Sequence, residues 1–340
     1  MNEIYLDRNE NNYGPAPQCI KVLRNADLTK LSGYSKAYQR GVKSILSERL
    51  AADFDIPEKR VILGYGAEDI LKQVVQCYLS MNEKLMVPAY SWWYYKEIAS
   101  EVNGINVEYP LLRGDDSFFY DVDSMLRLVK DENPRLLFIS SPNNPTGNSI
   151  SIDDLQYILD RVQDIIVVLD EAYWYHKDNE HARDLVNRFS KLVIIRTFSK
   201  YYALAGVRIG YALVGEELEQ LMKLSNRYLG YNGLSEEIAL AAMDSPDYYD
   251  QISAKMEQDK QTYYKELKKF PGFKVFKSDA NFILVEIPRE IMKPLQKFLK
   301  ERGLIIKFMN EELLNSHIRI TLGTQEENRM LINAMKEYFG

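Results

Sequence analysis

The sequence predicts an α/β protein: a large, mostly parallel sheet with helices on both faces, followed by a smaller α+β domain at the C-terminal end. Three observations predict it. The runs LLFI (136–139), IIVVL (165–169) and LVII (192–195) are continuously apolar, the texture of strands buried on both faces. Such runs alternate with helix-period segments, as parallel crossovers require. After about residue 240 the pattern changes to one long polar helix and then short strands around a single further helix.

Taken in order, residues 1–33 read as an irregular N-terminal arm, because Gly14, Pro15 and Pro17 in NNYGPAP punctuate rather than propagate a helix. The large domain spans 34–240. In it RVILGYG (60–66) is a strand and turn, and AEDILKQVVQCYL (67–79) a helix with acidic residues in its first turn. KLMVPAY (84–90), RLLFISSPNNPTG (135–147), DIIVVLDEAY (164–173) and KLVIIRTFSK (191–200) are further strands with their turns. The small domain, 241–340, opens with a polar helix over 246–269. FKVF, NFILVEI, LIIKF and IRITL then read as strands, with a helix around 291–302.

At 340 residues, and roughly 100–200 residues per domain, the length fits two domains. The net charge of −6 argues against a nucleic-acid partner, which needs a basic face. Cys19 and Cys77 form no close pair, so a reduced, cytoplasmic setting is expected. The start MNEIYLDRNENN lacks the basic and apolar stretches of a signal peptide, and no apolar run approaches the ~18 residues of a membrane span. His176 and His181 lie in a polar stretch and read as solvated surface residues, and with His317 they offer no zinc-site spacing.

In parallel sheets, ligands bind beyond the carboxyl ends of the strands. Several polar residues sit at such ends. Asp170 follows the run IIVVL; alone, it reads as a helix cap or loop ion pair. Lys200 closes TFSK (197–200), with Arg208 eight residues on. A lysine at the mouth of a buried sheet is a Schiff-base candidate, since desolvation or a neighbouring cation turns its amine into a nucleophile. GYGAED (64–69) places two glycines before a helix start, where free N–H groups and the helix dipole favour an anion. The dinucleotide fingerprint fails there, because Asp69 stands in the last glycine position, and no GxxxxGK[ST] loop exists. SPNNPTG (141–147) makes a rigid turn after a buried strand.

SPNNPTG, DEAY and SK with an arginine eight residues later, in this order, resemble the fold-type I pyridoxal-phosphate (PLP) aminotransferases of class I/II, most closely histidinol-phosphate aminotransferases. The resemblance runs over nearly the whole chain: LDRNENNYGPAP, GAED, PAYSWW, SPNNPTG, DEAY, RTFSKYYALAGVRIGY and HIRITLGT. It implies that Lys200 binds the aldehyde of PLP and later carries the proton between substrate carbon and cofactor carbon. It implies that Asp170 pairs with the pyridine nitrogen, that Tyr173 and Asn144 bond the phenolic oxygen, and that Tyr90 stacks on the ring. The cofactor phosphate is expected on the N–H groups of Ala67 and Glu68, the hydroxyls of Thr197 and Ser199, and the guanidinium of Arg208. Tyr34 resembles the tyrosine that reaches this phosphate from the partner subunit, which implies a homodimer.

Arg319 resembles the arginine that grips the anionic end of the substrate, and Tyr13 a residue that closes over it. Many family members carry an arginine in a GxxxR strand pattern; here GLIIK places Lys307 there, which keeps the charge but loses the planar fork suited to phosphate. Trp93, in the run WWYY, is read as pocket lining or as packing. The implied reaction is transfer of an amino group from histidinol phosphate, or a similar phosphorylated amino alcohol, to a 2-oxo acid acceptor, 2-oxoglutarate. Aromatic amino-acid aminotransferases and decarboxylases of phosphorylated amino acids share these motifs. Regulators on this fold carry a DNA-binding module ahead of it; a resemblance that begins within the first ten residues leads us to expect none. A nicotinamide dehydrogenase would need the absent fingerprint.

Overall fold

The unbroken apolar runs form the middle of a seven-stranded sheet. The computed structural model describes residues 3–175, 180–227 and 229–340. Ile105–Tyr109, Lys84–Pro88, Leu136–Ser140, Ile166–Asp170 and Leu192–Thr197 lie side by side and parallel. Gly210–Val214 runs antiparallel beside Leu192–Thr197, and Val61–Gly64 antiparallel beside that, at the far edge. Alternate residues of each strand enter different cores. Leu137, Ile139, Val167, Leu169 and Ile194 pack on one face; Leu136, Phe138, Val168, Val193 and Ile195 pack on the other. Both faces are therefore dry, which is why these strands carry no polar alternation. The helix Ala67–Tyr78 covers the second face with Ile70, Leu71, Val74 and Val75.

Register fixes what meets at the carboxyl edge. Ser140 pairs with Asp170, Asp170 with Ile195, Thr197 with Gly210, and Gly210 with Gly64. The ends of the Asp170 and Thr197 strands and the turn after Gly64 thus share one rim.

A second sheet of five strands has the order Ile4–Leu6, Leu304–Phe308, His317–Thr321, Phe282–Glu286, Lys274–Val275. It packs on the long helix Pro246–Leu267 and the helices Met292–Glu301 and Gln325–Phe339 through one core of its own. Of FKVF, only Lys274 and Val275 are strand.

Three readings of the sequence change. The arm is not irregular throughout: Ile4–Leu6 pairs in parallel with Leu304–Phe308, and Pro17–Arg24 is a helix. Pro17 stands in that helix's first turn, where the missing N–H would have no partner anyway. Gly210–Val214 and Ile105–Tyr109 are strands that the apolar-run criterion passed over, the first because it follows a loop directly, the second because edge strands are half polar. His181 is not a solvated residue. Its side chain is 9% exposed, and Nε2 lies 2.7 Å from Oε1 of Glu171. A polar sequence context does not reveal a buried carboxylate partner brought in by tertiary folding. His176 lies outside the described residues.

Leu6 is fully buried in the second core and anchors the arm. Leu6→Ala should cost roughly 2–5 kcal/mol, as a cavity-forming truncation does. Thermal unfolding should show a lower Tm, and limited proteolysis should show faster cleavage near residue 6.

Candidate active site

A cavity of about 870 Å³ opens over the shared rim, walled by the ends of the large sheet, by the arm and by the second sheet. Asp170, at its floor, is 5% exposed. Its Oδ1 accepts the Ala172 N–H at 2.9 Å, and its Oδ2 accepts the Tyr95 hydroxyl at 2.6 Å. Burial pushes the carboxyl above its ordinary pKa, and these two bonds, which favour the charged form, oppose the push.

Lys200 lies on the wall. Its Nζ donates to the Arg8 carbonyl at 2.8 Å and stands 5.6 Å from the centre of the Tyr173 ring. The Tyr173 hydroxyl accepts from Asn9 Nδ2 at 3.0 Å, so its own proton remains available for another acceptor. The backbone N–H of Asn9 is in turn held by Thr321 Oγ1 at 2.9 Å.

One end of the cavity is built for an anion. Ala67 and Glu68 start the helix behind Gly66, and Arg208, Thr197 and Ser199 face them. Gly66 has φ +85°, and a Cβ there would stand 2.7 Å from Arg208 Nη2. Only glycine lets the guanidinium lie across the helix start, where Nη2 donates to the Tyr65 carbonyl at 3.2 Å. Thr197 Oγ1 donates to Ser199 Oγ at 3.0 Å, which turns both hydroxyls toward the same space.

The other end holds Arg319 and Lys307, cross-strand partners in the second sheet. Arg319 Nη1 donates to Asn144 Oδ1 at 2.5 Å and Nη2 to the Asp7 carbonyl at 2.6 Å. Its Nε is buried with no hydrogen-bond partner. Burial pushes the guanidinium pKa down, yet an arginine keeps its charge.

The structure therefore brings together Ala67, Glu68, Asn144, Asp170, Tyr173, Thr197, Ser199, Lys200, Arg208, Lys307 and Arg319, with Trp93 on the wall. It does not bring in three others. Tyr90 packs on Phe118, ring centres 5.3 Å apart, while Trp92 and Trp93 line the cavity in its stead. Tyr13 lies over the second sheet, its hydroxyl 3.5 Å from Asp259. Tyr34 is 72% exposed and outside the cavity. Sequence reasoning missed Tyr95, Asn9 and the carbonyls of Asp7 and Arg8. Asn9 and its neighbours stand inside the recognised segment LDRNENN, but only the pairing of Ile4–Leu6 with Leu304–Phe308 places them over Lys200.

The family model for aminotransferases of class I and II matches residues 2–335. This chain is a class I and II aminotransferase. It is 31% identical to the histidinol-phosphate aminotransferase of Geobacillus sp. (strain WCH70), covering 98% of this chain and 89% of that one. To the enzyme of that name from Ruminiclostridium cellulolyticum it is 29% identical, over 98% and 92%. The solved histidinol-phosphate aminotransferase of Sinorhizobium meliloti in complex with pyridoxal-5′-phosphate superposes with a TM-score of 0.87 at 22% identity, over 99% and 90% of the two chains. That of Clostridium acetobutylicum gives 0.86 at 20%, over 98% of each. The aminotransferase uses pyridoxal 5′-phosphate, and the cavity fits it: a glycine-dependent anion cradle at one end, a buried carboxylate at the floor and a lysine amine between.

Behind the floor, Glu171 is 3% exposed and accepts from Arg196 Nε at 2.7 Å as well as facing His181. Burial pushes its carboxyl up, but the Arg196 charge and the His181 contact outweigh burial and hold it below the ordinary 4.5.

Two outcomes follow for this aminotransferase. Gly66→Ala should weaken PLP binding by about 10- to 100-fold, the range lost with one or two charge-assisted hydrogen bonds, read by titrating apoenzyme with cofactor. The depressed Glu171 carboxyl stabilises the fold above pH 4.5 and loses that contribution as pH falls through its lower folded value. Urea unfolding from pH 6 down to 3 should therefore show falling stability, with a shallower acid slope in Glu171→Gln.

Proposed function

We propose that the chain transfers the amino group of histidinol phosphate, or of a closely similar phosphorylated amino alcohol, to 2-oxoglutarate. The observation that carries this reading is the pair Lys307 and Arg319 at the cavity end opposite the Arg208 cradle. Two cations side by side suit a phosphate better than one would. The names of the relatives over nearly the full chain support the same substrate.

In this reading the chain's residues divide the work. Arg208, the N–H groups of Ala67 and Glu68, and the hydroxyls of Thr197 and Ser199 hold the cofactor phosphate. Asp170 holds the pyridine nitrogen protonated, and Tyr173 and Asn144 bond the phenolic oxygen. Bound PLP would supply an electron sink for negative charge developing at the substrate carbon. Lys200 Nζ takes the proton from that carbon and returns it on the cofactor side, which requires it to leave the Arg8 carbonyl. Arg319 exchanges the Asp7 carbonyl for the substrate anion, with its buried Nε as a further donor.

The active unit in this reading is a homodimer, with the exposed Tyr34 crossing to the neighbour's cofactor phosphate and Tyr13 closing on substrate as the arm shifts. The boundaries 1–33, 34–240 and 241–340 stand as the proposed arm, large domain and small domain. A cytoplasmic setting is proposed; no helix among the described residues is long and apolar enough to cross a membrane.

A panel of amines mixed with purified holoenzyme tests the proposal. Histidinol phosphate should bleach the visible cofactor band within one turnover, and 2-oxoglutarate should restore it. Inertness toward histidinol phosphate beside turnover of another amine would overturn the substrate, and release of carbon dioxide without an oxo-acid acceptor would overturn the reaction. Lys200→Ala should lower turnover by roughly 10²–10⁴-fold, the range that a positioned general base contributes, while leaving the unfolding transition intact.

A further inference from the structure

Tyr95 lies on the helix Tyr94–Glu101 and is 2% exposed. Its ring meets Phe138 edge to face at 5.4 Å and Trp92 at 5.8 Å, so packing fixes where the hydroxyl points. That hydroxyl donates to Asp170 Oδ2 at 2.6 Å, the length of a charge-assisted bond. Asp170 Oδ1 is already taken by the Ala172 N–H at 2.9 Å. The carboxylate is therefore pinned by two donors from different elements, one from the strand's own turn and one from the helix across the sheet face. Among the described residues no other side chain hydrogen-bonds to Asp170.

The neighbours cannot substitute. The Tyr120 hydroxyl donates to the Ser140 carbonyl, and the Tyr173 hydroxyl is met by Asn9. Glu171, the next residue, is negative and pushes the Asp170 carboxyl toward its neutral form. Tyr95 itself stays a donor, because burial and the Asp170 charge raise its pKa far above the ordinary value.

We propose that Tyr95 is a positioning residue of the reaction: its hydroxyl keeps the Asp170 carboxylate ionised and aimed at the pyridine nitrogen of bound PLP. The proposal rests on the role of Asp170 given above. Removing the donor leaves a buried carboxylate with one hydrogen bond fewer, so its neutral form gains. A neutral acid no longer holds the ring protonated, and the electron sink weakens.

Tyr95→Phe removes the oxygen and keeps the ring and its packing. It should lower kcat about tenfold, near the lower end of what a hydrogen bond to a charged group is worth, while the KM of the amine donor changes less than about threefold. Apoenzyme should bind PLP several-fold more weakly. The pH midpoint of the visible band should move up, since a less protonated ring withdraws fewer electrons from the linkage to Lys200. In an Asp170→Asn background, Tyr95→Phe should add nothing to any of these. If Asp170→Asn changes affinity and spectrum but Tyr95→Phe changes neither, the Tyr95 proposal fails and the reading of Asp170 stands. If Asp170→Asn is itself silent, both fail. A lowered Tm in Tyr95→Phe with an unmoved spectrum would mark a packing role only and would also overturn the proposal.

Discussion

A carboxylate held out of water sets the terms for everything around it. Asp170 ends a strand that is buried on both faces and is itself 5% exposed. Isolated, such a charge would be neutralised by its surroundings. It is kept useful by the Ala172 N–H and the Tyr95 hydroxyl, and it faces a cavity whose cofactor brings a protonatable ring nitrogen. The parallel sheet makes this possible, because it delivers Asp170, Thr197 and Ser140 to one rim in fixed register.

The cavity also depends on a contact distant in sequence. The arm's first strand joins the second sheet, and the next residues, Asp7 to Asn9, pass over the cavity. Their carbonyls and one amide side chain engage Arg319, Lys200 and Tyr173. Arg319, Lys200 and Tyr173, the groups proposed to meet substrate, proton and cofactor oxygen, are thus all held by one strap of the same chain. In the proposed reading a substrate anion would take the place of the Asp7 carbonyl at Arg319, oxygen for oxygen, which keeps that buried guanidinium satisfied.

Much of the site was legible in the linear chain. Asp170, Lys200, Arg208 and the helix start at Ala67 and Glu68 lie at strand ends and turns, where the pattern of apolar runs already points to the ligand edge, and the structure places them in one cavity. The aromatic wall was harder to read. The family resemblance points to Tyr90, while in the structure Trp92 and Trp93 line the cavity and Tyr90 packs on Phe118. His181 departs from its sequence context for a related reason: its neighbours in sequence are polar, while its neighbours in space are Glu171 and Trp174.

The sequence by itself determined the buried parallel strands, the glycine turn before the helix and the family, because these are encoded in runs of adjacent residues whose physics is local. Only the tertiary structure decided which donor supports Asp170, which carbonyls hold Lys200 and Arg319, and which aromatic rings line the wall. Those depend on side-chain direction and on pairs separated by up to 312 residues, as for Asp7 and Arg319. No local propensity carries such distances; they are set when two sheets and an arm close on one another.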